Sequence, residues 1–318
     1  MFENDKTIYS IVYLRAIAAL AVCAIHFKLN TGITLNKTFN YIIDNGHQGV
    51  TVFFVISGFI LPISLYRKGY KISGFFNFII KRSLRVDPPF WFSILLLFTI
   101  GFYPLSLIKV STILAHITYT VPFFNGQHWF TEVYWTLSIE FQFYLILGLL
   151  FPVFMKLPKL ITVSLLVLIS YFCLRFTVRW FIISYVYQFT FGFIAFLGYT
   201  QLIKAKEFWI SFIGFTLLIC FSKSIISGLV PFFTVLAIIL IKSRKIEPIG
   251  NFLGTISYSI YLVHIPVMAF VGHIFSGYSL TPIALCGLYV ITIIPAAYIM
   301  YMIVERPALK LSKRVFLK

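Results

Sequence analysis

Residues 8–27, IYSIVYLRAIAALAVCAIHF, form an apolar run long enough to cross a membrane, broken by Arg15 near its middle and by His26 near its end. Eleven positions separate the two residues, and three turns of α-helix take about 10.8, so both side chains fall on one helix face. At 1.5 Å of rise per residue they lie roughly 16 Å apart along the axis, about half of a ~30 Å hydrocarbon core. An arginine at that depth costs about 3 kcal/mol on insertion, so it has to face protein or a wet cavity and find a partner. One face of the helix therefore carries a fixed positive charge inside the membrane and an imidazole near one surface. Two readings stay open for the pair: a structural ion pair beside an interfacial histidine, or part of a functional site.

The remainder of the chain fits a membrane setting. Of 318 residues, 60% are apolar and only 11% charged, which excludes an ordinary soluble domain. The run at 8–27 is too long for a signal-peptide core and lacks a small-residue cleavage site, so it is expected to stay in the mature chain. Ten apolar stretches follow one another near 8–28, 48–66, 89–107, 132–154, 160–176, 182–202, 207–222, 225–241, 252–274 and 282–304. The expected fold is an all-α membrane protein, a bundle of about ten transmembrane helices forming one domain over 1–318 with no separate soluble part. With the N-terminus inside, Lys and Arg favour the inner connections by about three to one, which predicts that both termini are cytoplasmic. His26 then sits near the outer surface and Arg15 in the inner half. The net charge of +17 is mostly topology and does not imply a nucleic-acid partner. Cys23, Cys173, Cys220 and Cys286 are scattered singly through apolar stretches and form no disulfide or metal pattern.

Few ionisable groups interrupt the apolar stretches, and these are the candidates for chemistry. The longest inner connection ends in KRSLRVDPPFW, where Lys81, Arg82 and Arg85 form a cationic cluster on an expected interfacial helix stopped by Pro88 and Pro89. Attraction to anionic lipid explains such a cluster, and so does clamping of a phosphorylated cytoplasmic ligand, since arginine binds phosphate through paired donors. The fourth stretch, 132–154, contains YWTLSIEFQFYL and places Glu140 eight residues inside, roughly 12 Å below its outer end, with Tyr144 one turn further on the same face. That depth falls between His26 and Arg15. Glu140 is expected either to pair with Arg15 or to orient His26 through the second ring nitrogen. Ser57 and Gly58 mark a close helix approach in the second stretch. In the ninth, Tyr261 and His264 share a face near the bilayer middle, placed for a packing hydrogen bond or for a role at the site. At the end of the tenth, Glu305 and Arg306 are expected at the inner interface, with Pro307 stopping the helix.

Six of these segments, in this order, resemble the bacterial acyltransferase 3 family of integral membrane acyltransferases: YLRAIAALAVCAIHF, GVTVFFVISGF, KRSLRVDPPFW, YWTLSIEFQFYL, ISYSIYLVH and the terminal VERP. The first segment is particularly similar to members that O-acylate exopolysaccharides. One departure is that family members often carry an acidic residue where this chain has Thr51, so no role of that acid transfers.

The resemblance implies transfer of an acyl group, usually acetyl, from a cytoplasmic acyl-CoA to a hydroxyl of a surface polysaccharide or lipid-linked sugar outside the bacterial inner membrane. No metal is implied. Lys81, Arg82 and Arg85 are then expected to hold the CoA phosphates and Arg15 to lie along the pantetheine arm or to keep Glu140 ionised. Trp135, Tyr144, Tyr261 and His264 are expected to contact substrate. His26 is the candidate general base, because imidazole has an ordinary pKa near 6.5 and takes a proton from a sugar hydroxyl at neutral pH. Direct attack in a ternary complex and a transient acyl-imidazole both remain open. Two readings from other classes are a secondary transporter, which would also use intramembrane Arg15, Glu140 and His264, and a non-enzymatic partner in glycan assembly.

Overall fold

The structure, a computed structural model, describes residues 8–100, 108–124, 126, 128–241 and 247–315. Part of the third expected stretch, at 101–107, and the basic residues Lys6, Lys242, Arg244, Lys245 and Lys318 lie outside them. In chain order the helices are α1 Tyr9–Thr31, α2 Lys37–Asp44, α3 Gln48–Arg67, α4 Phe75–Thr99, α5 Val110–Ile117, α6 Trp135–Lys156 and α7 Lys159–Cys173. They continue as α8 Val186–Tyr199, α9 Ala205–Ser222, α10 Ile225–Leu240, α11 Pro248–Thr255, α12 Ser257–Ile274, α13 Pro282–Met300 and α14 Arg306–Arg314. Among the described residues there is no strand. Each of the ten expected stretches falls on a helix, and six helical segments are long and apolar enough to cross a membrane. The chain is thus an all-helical, multi-pass membrane protein.

Three prolines behave differently from expectation. Pro88 and Pro89 lie inside α4, which runs unbroken from Phe75 to Thr99, so the cationic segment is the first half of a long helix. Proline already has a helical φ, and its missing N–H is tolerated when packing holds both flanks. Here Phe78, Phe90 and Leu97 are buried on either side, and the Tyr258 hydroxyl donates to the Val86 carbonyl at 2.9 Å. Pro307 likewise does not end its helix: a π-helical turn at Tyr301–Glu305 joins α13 to α14, and Pro307 sits in the first turn of α14, where its lack of an N–H costs little. That turn leaves Glu305 buried instead of interfacial.

The chain divides into two compact units. The first comprises Met1–Ala18, Gln48–Ile72 and Leu149–Thr255. Its tightest seam is α3 against α8, where a Cβ added to Gly58 would lie 2.3 Å from the Phe189 carbonyl oxygen, and one added to Gly192 would lie 2.2 Å from that of Val55. Only glycine lets two backbones approach so closely, and where lipid replaces water such packing is what holds helices together. Phe54 stacks on Phe189 beside the seam at 4.8 Å between centroids. Thr51, buried near the start of α3, donates to the Gln48 side chain at 2.9 Å and accepts from the Gln188 amide at 3.1 Å, forming a neutral cluster. Helices α8, α9 and α10 pack on one another, as their short connections predict.

The second unit comprises Ala19–His47, Ser73–Gly148 and Ile256–Lys318. In it α4 packs against α12 and α14, and α12 against α13. Gly46 presses on the Ala21 carbonyl of α1, and Lys28 pairs with Asp44 at 2.6 Å, fixing the connection between α1 and α3 to the helix that bears His26. The Tyr289 hydroxyl donates to Asn30 at the same end of α1.

The α3–α8 seam is directly testable. Gly192→Val forces the two backbones apart and is expected to lower stability by about 1–3 kcal/mol, read by thermal unfolding of the detergent-purified protein. Gly214→Ala, with open space around its Cβ, is the matched control.

Candidate active site

The second unit gathers most of the singled-out residues. His26 occupies the C-terminal part of α1, half-buried, with Nδ1 2.9 Å from the Val22 carbonyl one turn earlier. From α12, His264 brings Nε2 to 3.2 Å from the same Nδ1, with ring centroids 5.1 Å apart. His264 is fully buried, and its own Nδ1 faces the Ile260 carbonyl at 3.2 Å. Among the described residues, therefore, it is His264 and not Glu140 that meets the imidazole. The exposed Glu132 acts on His26 electrostatically from the loop before α6. Tyr261, one turn before His264, is buried, with its hydroxyl 2.7 Å from that of Thr136 and 3.1 Å from the Val133 carbonyl. The polar atoms of His264 and Tyr261 are thus engaged within the protein, as the packing hydrogen bond expected of their spacing requires.

Glu140 belongs to a different group. The Tyr144 hydroxyl donates to its carboxylate, and Arg82 and Arg85 act on Tyr144 from α4. Arg82 is buried over the Phe78 ring, 5.6 Å from its centroid, and its Nε has no hydrogen-bond partner. Arg85, half-buried, is close enough for the two guanidinium charges to repel. Two like charges beside one carboxylate, one of them buried, make an anion-seeking spot. Lys81 turns elsewhere and donates to the Val315 carbonyl at 3.1 Å, so the three cations do not form one open patch.

Two carboxylates are buried, Asp87, which the sequence reading passed over, and Glu305, which it placed at the interface. Asp87 accepts from the Tyr119 hydroxyl at 2.8 Å, and Glu305 accepts from Ser259 at 2.6 Å. Both act electrostatically on Tyr258, as does Glu140. An acid inside a basic run followed by two prolines was the available signal for Asp87. Nothing in the local pattern marked Tyr258. Trp135, half-buried, begins α6 near Glu132. Arg15 is half-buried in the part of α1 that belongs to the first unit.

The sequence matches the family described as an acyltransferase domain over residues 8–302, nearly its whole length. This chain belongs to the acyltransferase 3 family. Among curated proteins, this acyltransferase-family chain is 28% identical over 161 residues to nodulation protein 10 of Rhizobium leguminosarum bv. viciae, covering 43% of each chain. The match thus spans less than half the length of that relative. No solved structure matches significantly.

In this family member another histidine ties down the segment between α4 and α6. His116 on α5 is fully buried and stacks on Phe130 with centroids 3.7 Å apart. Its Nδ1 faces the Thr112 carbonyl at 2.8 Å, and its Nε2 accepts from the Phe130 backbone N–H at 2.9 Å. Burial pushes its pKa down to about 4. The unfolded chain therefore binds the proton first, and the stability His116 contributes is fully present above pH 6.5 and falls as pH drops towards 4. The loss amounts to about 3 kcal/mol. His116→Gln, which keeps an acceptor but cannot charge, is expected to flatten that part of the acid unfolding profile, read as melting temperature between pH 7 and pH 4.

Proposed function

We propose that the chain moves an acyl group, usually acetyl, from a cytoplasmic acyl-CoA to a sugar hydroxyl on the outer side of the bacterial inner membrane, with His26 as general base. The carrying observation is the hydrogen bonding of His26. Its Nδ1 is held against the Val22 carbonyl, which leaves the Nε2 lone pair of a half-buried imidazole for a substrate proton. In this scheme His26 Nε2 takes the proton of the sugar hydroxyl as that oxygen attacks the thioester carbonyl. The carbon–sulfur bond then breaks, and the departing CoA thiolate recovers the proton. The acceptor is a surface polysaccharide or a lipid-linked sugar, and no metal takes part.

The donor side of the proposal rests on charge. Arg82 and Arg85 would hold the CoA phosphates, because two crowded guanidiniums, one with an unpartnered Nε, are relieved by an anion between them. Lys81 would add charge at the edge. Glu140 and Tyr144 would keep the pair in place, Trp135 would offer an aromatic face to the sugar, and Arg15, three turns along α1 from His26, would lie on the donor side. The topology that goes with this is ten crossings of a single domain with both termini cytoplasmic, supported by the distribution of lysine and arginine.

Two measurements test the proposal. In a strain carrying His26→Ala, with expression and folding verified, acylation of the surface glycan is expected to vanish while glycan export continues. Lost export with normal acylation would instead indicate transport or assembly. In membranes supplied with labelled acetyl-CoA, Arg85→Gln is expected to raise KM for the donor about 10–100-fold with little change in kcat, the value of one charge-assisted contact to phosphate.

A further inference from the structure

Two carbonyls determine where the protons of the His26–His264 pair reside. A carbonyl oxygen only accepts, and one faces Nδ1 of each ring: Val22 at His26 and Ile260 at His264. In the neutral rings each Nδ1 therefore carries the hydrogen, and each Nε2 is a lone pair. The lone pair on His264 Nε2 lies 3.2 Å from His26 Nδ1–H, which makes it the second acceptor of that hydrogen. The Val22 carbonyl belongs to the same helix as His26 and does not by itself fix the plane of the ring. An acceptor delivered from α12 does.

We propose that His264 is a positioning residue for the base: it accepts from His26 Nδ1–H, holds the ring with Nε2 turned to substrate, and supports the imidazolium formed when Nε2 takes the hydroxyl proton. It stands where many hydrolytic sites place a carboxylate behind the base, but it is uncharged. Full burial keeps water from competing for its lone pair. Nearby, Tyr261 approaches the His264 ring at 6.0 Å between centroids with its hydroxyl engaged by Thr136 and Val133, so it leaves that lone pair to His26. This inference rests on the reading of His26 as base.

The test uses the full chain, in membranes supplied with labelled acetyl-CoA and by nitrogen-15 NMR of the histidine-labelled protein, with His26→Ala to assign the His26 signals. His264→Leu is expected to lower kcat about 10–100-fold with KM for acetyl-CoA within about twofold, the scale seen when a group orienting a functional histidine is removed. His264→Gln, which restores a neutral acceptor, is expected to recover most of the rate. In the wild-type protein His26 should show a protonated Nδ1, an unprotonated Nε2 and a coupling through the hydrogen bond to His264 Nε2. A wild-type His26 protonated at Nε2 overturns the inference whether or not any variant folds. So does a folded His264→Leu protein with an unchanged rate, or equal losses in the Leu and Gln variants with the His26 signals unaltered. If His26→Ala itself keeps the full rate, the assignment of the base fails, and the spectrum of the wild-type pair still decides the hydrogen bond.

Discussion

A charged or hydrogen-bonding group inside an apolar helical membrane protein has no water to turn to, so each one must be met by another polar group of the same chain. That requirement shapes the second unit. His26 is answered by Val22 and His264, Asp87 by Tyr119, Glu305 by Ser259, and Glu140 by Tyr144. These partners come from α1, α4, α6, α12, the π-helical turn and the segment before α6, so satisfying the polar groups also fixes which helices stand together. The exceptions are the Trp129 indole N–H, the Thr131 hydroxyl and Arg82, whose Nε is left without a hydrogen-bond partner beside a second guanidinium. Of the three only Arg82 carries a charge.

The first unit solves a different problem. It has few buried charges and is held by close backbone approach at Gly58 and Gly192, by stacked phenylalanines, and by neutral hydroxyl and amide pairs such as Ser170 with Thr190. Thr51 belongs to this pattern: in place of an acid it offers a hydroxyl that bridges Gln48 and Gln188 without bringing a charge into the membrane.

What the sequence revealed and what it hid follow from the range of the interactions. Helical stretches, the shared face of Arg15 and His26, and the close-approach glycine on α3 depend on residues within a few turns and were legible. Prolines misled twice, at 88–89 and at 307, because burial and a π-turn, both tertiary, override a local rule. The partner of His26 was legible only as a short list. Glu140 was the nearer guess on charge, but the actual neighbour is a histidine 238 positions along, and no spacing rule connects them. The cluster at 81–85 was legible in charge yet not in direction, since which cation is buried depends on what α4 packs against.

The π-turn at Tyr301–Glu305 makes the chain unusually forgiving of length at that point. It admits one residue more than an α-turn would, so the basic side of α14, with Arg306, Lys310, Lys313 and Arg314 exposed and Ala308 and Ser312 inward, depends on the wider turn taking up that residue. Loss of a single codon there would restore regular α-geometry and leave everything beyond facing nearly as before. Tightening the turn with the residue kept would instead swing α14 by about 100° and rotate its cations towards the protein interior or the hydrocarbon. In-frame deletions, harsh in most helices, would here be gentler than changes that straighten the turn.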